Sequence, residues 1–136
     1  MLALTHLNAR PAKPERAVVI GAGGMIGGSI VQELAKSGIA TLALTRKDVD
    51  LLGPSGSDRL KSKLCTDDAV VFVSAVAPAK TVAQLMANLR MAEAALAAFA
   101  AVPPAHLLYI SSDAVYSDDA NPVTERSPVA PSPVVD

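Results

Sequence analysis

Gly21-Ala22-Gly23-Gly24-Met25-Ile26-Gly27 places four glycines at spacings that suit the cradling of a phosphate. Gly21, Gly24 and Gly27 fit G-x-x-G-x-x-G, and Gly21, Gly23 and Gly27 form an overlapping subset. The first glycine permits a tight turn. The middle ones remove Cβ atoms where a pyrophosphate would approach the backbone, and Gly27 lets a following helix pack closely on a sheet. Main-chain N–H groups at the start of that helix, at Met25 and Ile26, then face the anion. Without a ligand, the same residues would be only a glycine-rich strand-to-helix turn. No Gly-Lys-Ser/Thr follows, which argues against a phosphate-hydrolysing P-loop.

A second group with chemical potential is Leu44-Thr45-Arg46-Lys47, with Asp48 after it. In a dinucleotide site this position meets the adenosine ribose. An acidic residue there suits the free hydroxyls of NAD, and an arginine suits the 2′-phosphate of NADP. Arg46, with Thr45 as a hydrogen-bonding neighbour, favours NADP, and Asp48 leaves NAD open. Arg46 and Lys47 would otherwise be ordinary solvated charges. A third group is Ser111-Ser112-Asp113, whose hydroxyls could equally pair with backbone at a strand end.

Other chemistry finds little support. His6, His106 and Cys65 are far apart in sequence, so no metal site is expected. No G-x-S-x-G elbow is present for serine hydrolysis. Asp67-Asp68 suits a strand start or a turn cap, and Asp118-Asp119 a solvated loop.

These groups need elements to position them. Arg16–Ile20 is an apolar run that ends in the glycines and reads as a buried strand. Met25 to Ser37 has helical spacing, with Gly38 as its stop. Ile39 to Thr45 reads as the next strand, completing a βαβ unit. Between Lys47 and Cys65 the pattern allows a short strand near Val49 to Leu52 and a short helix near Asp58 to Leu64. Ala69 to Ala75 reads as a strand. Ala79 to Ala101 reads as a long helix with Val82, Leu85, Met86, Leu89, Leu96 and Phe99 near one face. His106 to Ser111 is the last strand.

Alternating strands and helices predict a Rossmann-like α/β fold, a mostly parallel sheet with helices on both faces. Residues 1–15 read as a flexible lead-in, 16–117 as a dinucleotide-binding domain, and 118–136 as a proline-rich loop or tail. The 136 residues are 51% hydrophobic, enough for one core, and the net charge is −1. Neither nucleic acid nor an anionic membrane is expected as a partner. No apolar stretch approaches the roughly 18 residues of a membrane span. The lone Cys65 forms no intrachain disulfide, and with no signal pattern the expected location is the cytoplasm.

The chain resembles the extended short-chain dehydrogenase/reductases, specifically the NAD-dependent epimerase/dehydratase family. The glycine loop carries this likeness together with Val70-Val71-Phe72-Val73-Ser74-Ala75, Asn88 with Ala92-Glu93-Ala94-Ala95, and Ile110-Ser111-Ser112-Asp113-Ala114-Val115-Tyr116. Pro122 to Glu125 and Pro128 resemble the stretch leading to the family's catalytic tyrosine. The resemblance spans residues 16 to 133. It implies NADP or NAD as cofactor, and oxidoreductase or epimerase chemistry on a sugar nucleotide or a similar hydroxyl compound. Ser112 matches the hydroxyl that orients the substrate oxygen, and Asp113 falls where some dehydratases place an acid. Ala114 departs from the dehydratase Glu. Ala75, Val76 and Ala77 are implied beside the cofactor, and Asn88 as a support of the site.

After Pro131 the family has Tyr-x-x-x-Lys, and here Ser132 to Asp136 follow instead. The reading is therefore of a sheet cut short at its C-terminus, without an assignable catalytic Tyr and Lys. Three accounts stand open: a shortened enzyme, a stand-alone nucleotide-binding or regulatory module, or a half completed by a partner. An exposed sheet edge would favour self-association, and homodimerisation stays open.

Overall fold

Ala17, Val18, Val19 and Ile20 are all buried, as an unbroken apolar run must be when both faces of its strand are covered. This strand, β1 (Arg16–Ile20), has β2 (Ala40–Leu44) on one side and β3 (Ala69–Phe72) on the other. Strand β4 (His106–Tyr109) lies beyond β3, giving the all-parallel order β2-β1-β3-β4. Three helices connect the strands: α1 (Met25–Lys36), α2 (Gly56–Lys61) and α3 (Val82–Ala101). The computed structural model describes residues 12–117 and 122–131. His6, Asp118, Asp119, Ser132 and most of the predicted lead-in lie outside the described residues.

Side chains alternate across the sheet and sort the core into two layers. Val18, Ile20, Leu44, Val70 and Phe72 pack with Leu60, Leu64, Ala95, Ala98 and Phe99 beneath α2 and α3. Helix α1 contacts β1 and β2, so helices cover both faces of the sheet. The predicted Rossmann-like parallel sheet is thus the observed one.

Local sequence explains the element ends. After α1, Gly38 takes φ +65°. Its N–H donates to Ala35 O and the Ile39 N–H to Leu34 O, the paired bonds of a Schellman stop. Helix α3 starts at Val82, three residues later than its apolar spacing suggests. Thr81 accepts from the Gln84 N–H while the Gln84 side chain accepts from the Thr81 N–H, a complete capping box.

Three expectations need correction. Val49 to Leu52 forms turns instead of a strand. The Asp50 side chain accepts the Leu52 N–H and its carbonyl accepts the Gly53 N–H, which closes the chain on itself. Val49 and Leu51 are nevertheless buried. Strand β3 ends at Phe72 instead of Ala75, although the Val73 N–H still reaches Ile20 O. On α3, Val82, Leu85, Met86, Leu89 and Leu96 are exposed, and Ala95, Ala98 and Phe99 form the packed face. Alanines let the helix lie close to its neighbours, so the largest side chains do not mark the buried side.

The β4 edge is open. All four of its residues are exposed, including Leu107, Leu108 and Tyr109. At the opposite, N-terminal end of the strands, Arg16 and Asp68 tie β1 to β3 by a two-pronged ion pair of 2.7 and 2.8 Å.

Candidate functional site

Gly21 leaves β1 with φ +101°. A Cβ there would sit 2.9 Å from the Ser74 backbone nitrogen, and one on Gly27 would sit 2.2 Å from the Gly21 carbonyl oxygen. The fold itself therefore requires glycine at both positions. Gly23 and Gly24 differ. Neither has positive φ, and a Cβ on either would meet its nearest atom at 3.6 Å, an ordinary contact. Internal packing gives no reason for their bareness, and a ligand lying against the backbone does.

The start of α1 points the same way. Gly24 is its N-cap, no side chain caps it, and no acidic residue occupies its first turn. Helix-start N–H groups without an internal partner seek an anion or water. Gly23 and Gly24 line a cavity of about 590 Å³ at the C-terminal ends of β1, β2 and β3. Chain connections diverge to either side of β1 here, which is where open α/β sheets bind ligands. The side chains of Met25 and Ile26, next in the helix, are 86% and 50% exposed.

Thr45, Arg46 and Lys47 form one wall of the cavity. The Thr45 hydroxyl donates to Asp48 Oδ2 at 2.6 Å, and the Thr45 N–H donates to the same oxygen at 2.9 Å. The hydroxyl bond, then the backbone bond, holds the Asp48 carboxyl below its ordinary range. Arg46 is largely exposed and lies 3.5 Å from Asp50, a loose surface pair.

The opposite wall is the chain after β3, including Val73, Ser74, Ala75 and Val76. Asn88 Oδ1 accepts the Val76 N–H at 2.7 Å, and its Nδ2 donates to Val76 O at 3.0 Å. One amide side chain on α3 thus saturates both backbone groups of Val76. Asn88 acts on this loop through Val76. Ala77, joined to Pro78 by a cis peptide, follows next.

Ser112 and Asp113 lie just past β4, at the same end of the sheet as the glycine loop. Ser112 Oγ accepts the Ala114 N–H at 3.2 Å and lies 3.3 Å from Asp113 Oδ1. Tyr109 stacks on Phe72 with ring centroids 5.8 Å apart, and Tyr116 bridges to Val129.

Sequence reasoning missed Ser74, Asp50, Leu51 and Met91, which also line the cavity. Ser74 carried a signal, a small residue at the end of a buried strand. The others come from the segment misread as a strand and from the inner side of α3. Among the described residues, Cys65, Asp67 and Asp68 bring possible metal-ligand atoms within 4.8 Å of one another. The Asp68 carboxylate is already held by Arg16 and the Cys65 N–H.

An open parallel sheet with an uncapped glycine turn at its switch point defines a dinucleotide-binding type of fold. The chain belongs to the NAD dependent epimerase/dehydratase family, whose sequence model matches residues 17–134. Among solved structures, it is similar to a gdp-l-fucose synthetase from Naegleria fowleri bound to NADP, with TM-score 0.71 and 20% identity over 93% of this chain and 40% of that one. It is also similar to UDP-N-acetylglucosamine 4-epimerase from Bacillus cereus, with TM-score 0.68 and 22% identity over 85% and 42% of the two chains. A short-chain dehydrogenase/reductase superfamily protein from Agrobacterium tumefaciens with bound NAD gives TM-score 0.62 and 23% identity over 87% and 40%. At these identities the likeness is one of fold, and this chain spans about two fifths of each of those three chains. No curated protein matches. No helix among the described residues is long and apolar enough to cross a membrane.

Proposed function

We propose that this chain is the NADP-binding portion of an oxidoreductase or epimerase acting on a sugar nucleotide or a similar hydroxyl or carbonyl compound. The observation that carries the reading is the pair Gly23 and Gly24, bare without internal cause at the uncapped start of α1. The sugar-nucleotide class comes from similar folds whose names include an epimerase and a synthetase of such compounds.

The chain's own residues then have distinct tasks. N–H groups of the glycine loop and first helical turn bind pyrophosphate. Arg46 and Lys47 meet the ribose 2′-phosphate, which prefers NADP over NAD. Asn88 keeps Val76 and the adjoining Ala75 and Ala77 in place along the cofactor. Ser112 turns from Asp113 to orient the substrate oxygen, with Asp113 beside it. The nicotinamide, when bound, supplies or accepts hydride. No residue of this chain is assigned as the proton donor. The rival reading, a nucleotide-binding or regulatory module without chemistry, draws on the engagement of Ser112 within its own loop.

Calorimetric titration of the folded chain with NADP and NAD tests the reading. Tighter NADP binding that weakens in Arg46→Ala supports it, and binding of neither cofactor overturns it.

A further inference from the structure

The turn after β2 is tied at both ends. Thr45 O accepts the N–H groups of Asp48 and Val49, each at 3.0 Å. In return Asp48 Oδ2 accepts both the N–H and the hydroxyl of Thr45. Arg46 and Lys47 are the two central residues of this reciprocal bracket. Arg59, on α2, donates to Asp48 O at 2.9 Å and fastens the bracket to the body of the domain. Thr45, Arg46 and Lys47 face the cavity, whereas the Asp48 carboxylate turns back onto Thr45.

From this geometry we infer that Asp48 is the positioning residue of the 2′-phosphate subsite, a strut that presents Arg46 and Lys47 together, and not an acid that receives ribose hydroxyls. The inference rests on the NADP reading above. An arginine and a lysine on a free loop would lose side-chain and backbone freedom on meeting a phosphate. A turn already closed has met the backbone part of that cost, which raises affinity through preorganisation. The Thr45 hydroxyl proton is committed to Asp48, so Thr45 serves the subsite through the turn and not as a phosphate donor.

The two roles of Asp48 predict opposite mutant patterns. As a strut it needs only an acceptor oxygen, which Asn retains and Ala lacks. As a nearby negative charge it would oppose phosphate, and both substitutions would then strengthen binding. As a ribose acid it would be needed for nucleotides that lack the 2′-phosphate.

The test is calorimetric titration of the chain with adenosine 2′,5′-bisphosphate and with 5′-AMP. In Asp48→Ala the bisphosphate should bind about tenfold more weakly while 5′-AMP stays within about twofold. Asp48→Asn should bind the bisphosphate at least as tightly as the wild type. In an Arg46→Ala/Lys47→Ala background, Asp48→Ala should have no further effect on the bisphosphate. Tighter bisphosphate binding in Asp48→Ala, or selective loss of 5′-AMP, overturns the strut while leaving a nucleotide site in place. A wild type that binds 5′-AMP and the bisphosphate equally overturns the 2′-phosphate reading, and the strut with it. Binding of neither probe overturns the nucleotide site as a whole.

Discussion

Gly27 and Gly21 touch so closely that a single methyl group would not fit between them: a Cβ on Gly27 would lie 2.2 Å from the Gly21 carbonyl oxygen. The obstacle is backbone on both sides, and no flexible side chain can move aside. Gly27→Ala should therefore push α1 away from the turn and destabilise the fold by about 2 kcal/mol. Chemical denaturation measures this directly. An unchanged midpoint would mean that the turn is looser than the geometry indicates.

The Arg16–Asp68 pair makes stability depend on acid. Burial alone raises the Asp68 carboxyl, but hydrogen bonds from Arg16 and the Cys65 N–H more than offset it and leave it below the ordinary range. Its contribution is therefore full above the unfolded-state value of roughly 3.9 and is lost as pH falls through the lower folded value. Asp68→Asn should cost about 2 kcal/mol at neutral pH, less than a fully enclosed pair because Arg16 is partly exposed. The cost should shrink as pH drops below roughly 4. Melting curves of both proteins across that range check the sign.

Asn88 should control the loop that follows β3. Asn88→Ala leaves the N–H and C=O of Val76 without their partner and should lower stability by about 1 kcal/mol. Amide hydrogen exchange at Val76 should speed up while the β1 amides stay protected. Asn88→Asp should not rescue it, because a carboxylate cannot donate to Val76 O. Unchanged protection at Val76 in Asn88→Ala would count against the clamp.

The parallel sheet was legible because β1 is an unbroken apolar run leading straight into glycines, and Gly38 marks the end of α1. Both are local signals, and the structure places them where local rules do. The side of α3 that packs was not legible. Leu85 and Leu89 are larger and more apolar than Ala95 and Ala98, yet close approach selects the alanines. The turns from Val49 to Leu52 were hidden for another reason. Val and Leu predict a strand, while the deciding interactions come from Asp50 oxygens that composition does not reveal. At the site, the glycine spacing showed which residues to consider. It could not separate Gly21 and Gly27, required by the fold, from Gly23 and Gly24, which are not.

That separation makes Gly24 the most direct test of nucleotide binding. Gly24 has φ −84°, so a side chain is tolerated, and serine would cap α1. The measurement is NADP affinity and melting temperature of Gly24→Ser beside the wild type. A site built for pyrophosphate predicts an unreduced melting temperature with binding weakened by at least about tenfold. Equal affinity in the two proteins, or a folded wild type that binds no NADP, would contradict it.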